Sequence, residues 1–496
     1  MTVGRWEWRG AGEGITAAEA RLEEGSPHTI EESDELYLLS VVSDASVKVR
    51  GDLLDVKRLV QVSDAGLEQW MPIAKDPFPV SEVALHAALV ELGVDVPLER
   101  EAYALAELLG EVAAPCPDLH AVRVHKTRRR YTVGGCMAEV TDMQVDGRHV
   151  RTIAVESDDH DLVLATLRDL GARPLPNVSV PRALKRELGV GPRRFAVIDV
   201  GTNSVKLLLA ERPSRDGSWR ELVDRSEVTR LGEGLARSGR LQPQATARTI
   251  DAIEGMAIDA WRQGAERIAA VGTAGLRVAG NTADFLEALA ARCGIRLEVI
   301  SGEEEARLSF LAAASAGERV AGPLVVFETG GGSTQFTFGR DERVLEQFSV
   351  QVGAVRLTER FGLDGVVEAD SLAEVHHAVA RELGSLDGRP TPAALLALGG
   401  AVTNLAAVAH RLAPYDAAVV RGSMLDLEEI DRQIELYRTR TAEQRREIVG
   451  LQPGRAEIIL AGACIVRAVV VGLGRETLTV SDRGLRHRLL VERFNA

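Results

Sequence analysis

Two short runs of this chain join an acidic residue, at the end of an apolar segment, to a glycine-rich turn carrying hydroxyls. The first is Asp199-Val200-Gly201-Thr202-Asn203-Ser204; the second is Glu328-Thr329-Gly330-Gly331-Gly332-Ser333-Thr334. Glycines let backbone N–H groups approach an anion closely, and Ser or Thr hydroxyls add donors. The carboxylates of Asp199 and Glu328 stand where a divalent cation would be held beside bound phosphate. One such turn is weak evidence, because many glycine-rich turns are only turns. Two of the same form read as two hands around one phosphate chain.

A second set of charges lies nearer the start. Lys48 and Arg50 share one strand face by the period of two, and Lys57 follows beside Arg58 on the next run. The segment RVHKTRRRY packs Arg123, Lys126, Arg128, Arg129 and Arg130 into nine residues, and Glu139, Asp142 and Glu156 come after it. Pointed into a closed antiparallel barrel, these side chains would line a tunnel for a phosphate chain with metal ions. The plainer reading is a solvated, charged sheet face.

The elements that must position these groups differ between the two halves. Residues 1 to about 180 read as short strands (35–42, 46–49, 53–60, 121–125, 131–133, 137–141 and 149–155) with helical spacing over 80–92 and 100–109. Asn177–Arg194, with its Pro, Gly and charge run, reads as a domain boundary. Beyond it strands alternate with helices: strands at 195–200, 205–210, 267–271, 297–300, 324–327 and 335–338, helices at 245–263, 282–292 and 303–314. The paired strand–turn–strand units imply a duplicated α/β domain with a cleft between its halves.

Composition removes several classes. Hydrophobic residues make up 45% and charged residues 27% of 496, which excludes wholesale disorder. A net charge of −14 argues against a nucleic-acid or membrane binder. With only six Lys among its 59 basic residues, Arg abundance is a compositional bias and no phosphate signal in itself. Cys116, Cys136, Cys293 and Cys464 are far apart with no metal-ligand spacing, so reduced, mostly buried thiols are expected. No targeting segment or spanning stretch is visible, and a cytoplasmic location is expected.

The second half resembles the exopolyphosphatase and guanosine pentaphosphate phosphohydrolase (Ppx/GppA) family of the actin-like ATPase superfamily. The likeness rests on AVIDVGTNSVKLLLAE from Ala196, AVGTAGLRVAGN from Ala270, VISGEEEARLSFLAA from Val299 and VVFETGGGSTQFTFG from Val325. ALGGAVTNLAAVA from Ala397, GLQPGRAEIILAGA from Gly450 and VSDRGLRHRLL from Val480 complete it. It implies a duplicated, ribonuclease H-like α/β fold over 194–496, with lobes at about 194–322 and 323–496. It also implies Glu305 as the base that orients water on the terminal phosphorus, Arg277 as a phosphate contact, Mg²⁺ or Mn²⁺ as cofactor, and a homodimer. Gly201 to Ser204 and Gly330 to Thr334 are the implied phosphate turns. The family's second turn reads D-x-GGGST-E, whereas this chain has Glu328 and Gln335. The first carboxylate is thereby displaced by a methylene and the second loses its charge.

Residues 1–185 resemble a divergent member of the CYTH, or triphosphate-tunnel, family, through RVHKTRRRY, AEVTDMQVDGRHVRTIAVES and NVSVPRALKREL. The family's opening ExExK strand corresponds here to Arg5-Trp6-Glu7-Trp8-Arg9, with one acidic position kept. The resemblance implies an α+β barrel that binds polyphosphate or a nucleotide better than it hydrolyses it. Three functions are therefore carried forward. They are hydrolysis of inorganic polyphosphate, hydrolysis of guanosine pentaphosphate to tetraphosphate, and sensing of such anions with little turnover. The scarcity of aromatics, 4%, favours polyphosphate because few rings are present to stack a base.

Overall fold

The computed structural model describes residues 4–173, 176–213, 219–314, 322–340 and 343–495. The chain divides into two compact units. One is Met1–Arg194 with the segments Glu211–Arg220 and Trp261–Glu266; the other is the remainder.

The first unit is built on a closed antiparallel barrel. Its strands are β1 (Arg5–Ala11), β2 (Thr29–Ser40), β3 (Ser46–Arg50), β4 (Leu53–Val62), β5 (Glu68–Pro77), β6 (Leu119–Val133), β7 (Cys136–Val145) and β8 (Arg148–Ser157). They close in the order β1-β8-β7-β6-β2-β3-β4-β5. Strict alternation sorts the side chains. Outward apolar residues of β2, β3 and β4, such as Leu36, Val49 and Leu54, pack against Leu85, Leu89 and Leu92 of helix α1 (Glu82–Leu92). Ser81 caps that helix through the Ala84 N–H, and Gly93, at φ +68°, ends it.

Several elements differ from expectation. The basic run is the middle of one 15-residue strand, β6, because carboxylates on both sides of the wall neutralise it. The strand β5 escaped notice since Pro72 and Pro77 break its pattern. Helix over 100–109 is reduced to Leu105–Glu107 followed by a wider turn through Ala113. The supposed boundary segment contains helix α2 (Val180–Leu188), whose Pro181 sits in the first turn where a missing N–H costs nothing. Its Ala183 and Leu184 fill one end of the barrel against Leu39, Val124 and Met143.

The second unit has two sheets. The first runs β11 (Arg220–Val228), β10 (Ser204–Arg212), β9 (Arg193–Val200), β12 (Ala265–Gly272) and β13 (Leu297–Val299). The second runs β16 (Arg343–Val350), β15 (Thr334–Arg340), β14 (Leu324–Thr329), β17 (Ala394–Leu398), β19 (Thr477–Val480) and β18 (Met424–Asp426). Helices α3 (Pro243–Arg262), α4 (Gly302–Ala314), α5 (Gly400–Ala409) and α6 (Ile459–Gly472) are the principal ones for the site. The apolar stretch of α6 is buried core, and no described helix is long and apolar enough to cross a membrane. Cys136, Cys293 and Cys464 are buried, and no disulfide is formed among the described residues.

One buried cation anchors a functional turn. Arg445, wholly buried, donates to the carbonyls of Tyr437, Leu363 and Gly365 at 2.8 Å each and to Ala456 at 3.3 Å. Ala456 follows the turn that presents Arg455 to the cleft described below. Arg445→Met strands these carbonyls and is expected to cost about 3 kcal/mol. Hydrogen-exchange mass spectrometry through a urea series, on peptides covering 427–472, measures it.

Candidate active site

The three consecutive glutamates at the start of α4 have different fates because a helix turns 100° per residue. Glu304 pairs with Arg307 at 2.7 Å, one turn on, and Glu303 faces solvent. Glu305 turns inward, is 8% exposed, and accepts a hydrogen bond from Arg277 Nη1 at 2.6 Å. Burial pushes its carboxyl up to about 7, against the pull of Arg277 and helped by the like charges of Glu328 and Asp199. A carboxylate poised there is suited to take a proton at neutral pH.

The two glycine-rich turns are built alike. In each, the first glycine N–H donates to a serine carbonyl three residues on: Gly201 to Ser204 at 3.0 Å and Gly330 to Ser333 at 2.9 Å. They open on a single narrow cavity of about 40 Å³ that also receives Asp199, Lys206, Thr273, Glu305 and Glu328. Gly399 and Gly400 form another side. Gly399 has φ +93°, and a side chain on Gly400 would lie 2.4 Å from the Arg455 guanidinium.

Polar atoms around this cavity lack partners. Asp199 Oδ1, Asn203 Nδ2, Thr329 Oγ1 and Arg455 Nε are buried without a hydrogen bond. Such orphans are rare in folded proteins and cluster where a ligand completes them. Arg455 reaches Ser204 Oγ at 3.4 Å, and burial alone lowers its pKa to about 10. No ion pair to it is found among the described residues. Lys206 Nζ lies 3.2 Å from Asp199 Oδ2 and 3.9 Å from Glu328 Oε1, and Ser309 donates to Glu328 Oε2 at 2.7 Å.

Of the residues singled out by sequence, Asp199, Gly201, Thr202, Asn203, Ser204, Glu305, Glu328, Gly330, Gly331, Gly332 and Ser333 border this cavity. Thr334 does not. It is fully buried on β15 and its hydroxyl donates to the Val352 carbonyl at 2.7 Å, so that group is spent on the fold. Arg277 is turned to Glu305 and the Ile300 carbonyl, 3.1 Å away, and is not part of the cavity wall. Gln335 sits behind the turn, its Nε2 donating to Ser333 Oγ at 2.6 Å. Sequence reasoning missed Lys206 and Arg455. Lys206 was available from the period of two, being on the Ser204 face of β10. Arg455, 251 residues from Ser204, had no local signal.

In the barrel, Lys48, Arg50, Lys57, Lys126, Arg128 and Arg130 line an interior cavity of about 320 Å³. Arg123 was expected with them and is not there. It is odd-numbered on a strand whose even residues face inward, so it is exposed on the outer surface. Asp142 is likewise outside, paired with Arg151 at 2.7 Å. Glu35, Asp55, Glu7 and Arg9, which the basic run overshadowed, belong to the interior set.

The Ppx/GppA phosphatase family model matches residues 213–495. Exopolyphosphatase 2 of Mycobacterium tuberculosis is 34% identical over 313 residues, covering 59% of this chain and 96% of that protein. Exopolyphosphatase 1 of Mycobacterium leprae is 28% identical over 306 residues, covering 61% and 90%. The crystal structure of the Aquifex aeolicus Ppx/GppA family member superposes with a TM-score of 0.53 at 31% identity, over 61% of this chain and 97% of that one. An exopolyphosphatase structure from Cytophaga hutchinsonii, at 24% identity and TM-score 0.56, shares the fold. With the actin-like lobes, the paired turns and a family match over more than half its length, this chain belongs to the Ppx/GppA phosphatase family.

Proposed function

We propose that the C-terminal unit removes the terminal phosphate of inorganic polyphosphate, with Glu305 as general base. The observation that carries this is the buried Glu305, held near neutrality at the edge of a cavity whose polar atoms lack partners. The two turns would receive the terminal phosphate on backbone N–H groups and on Thr202 and Ser333. Arg455 and Lys206 would meet the charge of the chain. Glu305 aligns a water and takes its proton as the oxygen bonds to phosphorus. The bond from phosphorus to the bridging oxygen breaks, and that oxygen leaves as the new end of the chain.

A divalent cation, Mg²⁺ or Mn²⁺, fits this donor set. The unpartnered Asp199 Oδ1 and the Glu328 carboxylate are hard oxygen ligands, and substrate oxygens and water would complete the shell. The ion would neutralise charge on the leaving phosphate oxygen. Among the described residues none of the side chains around the cavity is aromatic, which supports a linear phosphate chain over a stacked base. One observation favours guanosine pentaphosphate as a second reading. A cavity of about 230 Å³ shares Thr202, Ala274, Gly331 and Gly332 with the first and has room for a bulkier tail. We read the barrel as a binding module for the same class of anion, on the strength of its eight inward cations.

Glu305→Gln is expected to lower phosphate release from long-chain polyphosphate by about 10³-fold. Unchanged release in a colorimetric assay would refute the base assignment, and competition with guanosine pentaphosphate separates the two substrates. Below an apparent pKa no higher than about 7, the rate falls as Glu305 gains its proton. A cation held at Asp199 only pulls that value down. A pH–rate profile of kcat/KM measures the limb, which Glu305→Gln removes. Arg455→Met is expected to raise KM about tenfold by deleting a charge-assisted contact, read from steady-state kinetics.

A further inference from the structure

The barrel interior holds more positive than negative charge, and each of its carboxylates is already engaged. Eight basic side chains and four carboxylates line the cavity, and Glu35, on the same face of β2 as Tyr37, adds a fifth carboxylate beneath them. Glu7 and Glu139 take Arg9 from two sides, at 2.9 and 2.8 Å. Glu156 lies 3.4 Å from Arg5, and Asp55 is 3.8 Å from Arg50. Glu35, wholly buried, gathers Lys126 at 3.2 Å, Lys48 at 3.3 Å and Arg128. No three of these carboxylates converge. Among the described residues the one such group with ligand atoms within 4.8 Å of one another is Glu221, Asp224 and His487, in the other unit.

The tunnel resemblance carries an expectation of metal ions in this interior, and the residues present do not fit it. A divalent ion at Glu7 and Glu139 would have to displace the Arg9 guanidinium, which is 6% exposed and held by those two carboxylates and Thr152 at 2.9 Å. Breaking a buried pair on one side leaves an uncompensated charge, among the costliest changes a protein interior can undergo. Arg9 therefore occupies the acidic end of the cavity permanently, as a built-in cation.

A different feature faces the cavity where α2 begins. Ser179, Val180 and Pro181 border it, so the nine-residue helix opens its N-terminus, the positive end of its dipole, onto the space. Ser179 is 4% exposed and its hydroxyl has no hydrogen-bond partner. A buried, unpaired donor beside a helix N-terminus and a cluster of ammonium and guanidinium groups is matched to phosphate oxygens.

We propose that the barrel binds a short phosphate chain without any divalent cation, gripping it with Lys48, Arg50, Lys57, Arg128, Arg130 and the N-terminus of α2. The inference rests on the reading of the barrel as an anion-binding module and adds that its binding is metal-independent. The two units then differ in kind: one takes its phosphate with a metal, the other with fixed cations alone. The excess of positive charge, counted against Glu35 and the lining carboxylates, is what the ligand neutralises. Tyr37, Glu35, Lys48, Arg128 and Arg9 all face Lys126, and burial among them brings its pKa down to about 7. A bound anion favours its protonated form, so association draws a proton near neutral pH.

The test is calorimetric titration of tripolyphosphate into full-length Glu305→Gln protein, once in EDTA and once in Mg²⁺. Binding is expected to persist in EDTA, no weaker than in Mg²⁺, and to weaken about tenfold when Lys57→Gln or Arg130→Gln is added. Both residues lie outside the Glu35 knot, and thermal unfolding checks that each variant keeps its fold. Binding that needs Mg²⁺ yet still responds to these variants overturns metal independence and leaves the anion-binding reading in place. Binding that ignores both variants, with or without Mg²⁺, removes that reading as well.

Discussion

Taking a charge out of water is tolerable only when another charge or a ligand is ready for it, and the working parts of this protein follow from that constraint. Glu305 shows it most directly. Its carboxylate is buried with two others nearby, and a single short hydrogen bond from Arg277 holds it. Without Arg277 burial would keep Glu305 protonated at neutral pH; with a second cation at the same distance it would be too weak a base. The Ile300 carbonyl accepts from the same Nη1 that donates to Glu305, so the segment leading to α4 also takes part in setting the acidity of the helix it precedes.

The same constraint explains why glycine recurs on the walls of the cleft. Backbone N–H groups deliver partial positive charge without a side chain that must itself be desolvated. Gly400 is required for another reason, since the Arg455 guanidinium occupies the space a β-carbon would take. Arg455 is in turn held by a turn whose neighbour, Ala456, is tied to the buried Arg445. A cation in the core therefore acts at the cleft through backbone alone.

Much of this was legible in the residues. The acidic strand ends and glycine turns marked the residues that border the cleft, because turns of that shape need glycine locally, and local requirements leave local signatures. Helical phase, by contrast, could not tell Glu305 from Glu303 and Glu304, and only the family pattern selected it. Thr334 was misread because a hydroxyl in a turn and a hydroxyl on the first residue of a strand look the same until a carbonyl partner, here Val352, is known. Arg455 escaped because its role depends on a contact across 251 residues. In the barrel the period of two was the right rule applied too loosely. Taken strictly it separates Lys126, Arg128 and Arg130 from Arg123 on the same strand, and Glu139 from Asp142 on the next by register.

The two units handle buried charge in opposite ways, and the contrast bears on what each can hold. Around the cleft, an Asp oxygen, an Asn nitrogen and an Arg nitrogen are left without partners, and Glu328 and Asp199 stand close enough to raise the affinity of Glu305 for a proton. Groups so arranged are costly until a ligand completes them, which suits a site that takes up and releases what it binds. Inside the barrel the order is reversed: Arg9 satisfies two carboxylates, Glu35 satisfies several cations, and Arg9, against the upward push of burial, holds Glu139 down at about 2. Little there is left unsettled except surplus positive charge and one serine hydroxyl at a helix N-terminus. In a cavity so arranged the carboxylates are spent on fixed cations, and Lys126, brought down to about 7 by burial, is the group left near a change of protonation at neutral pH.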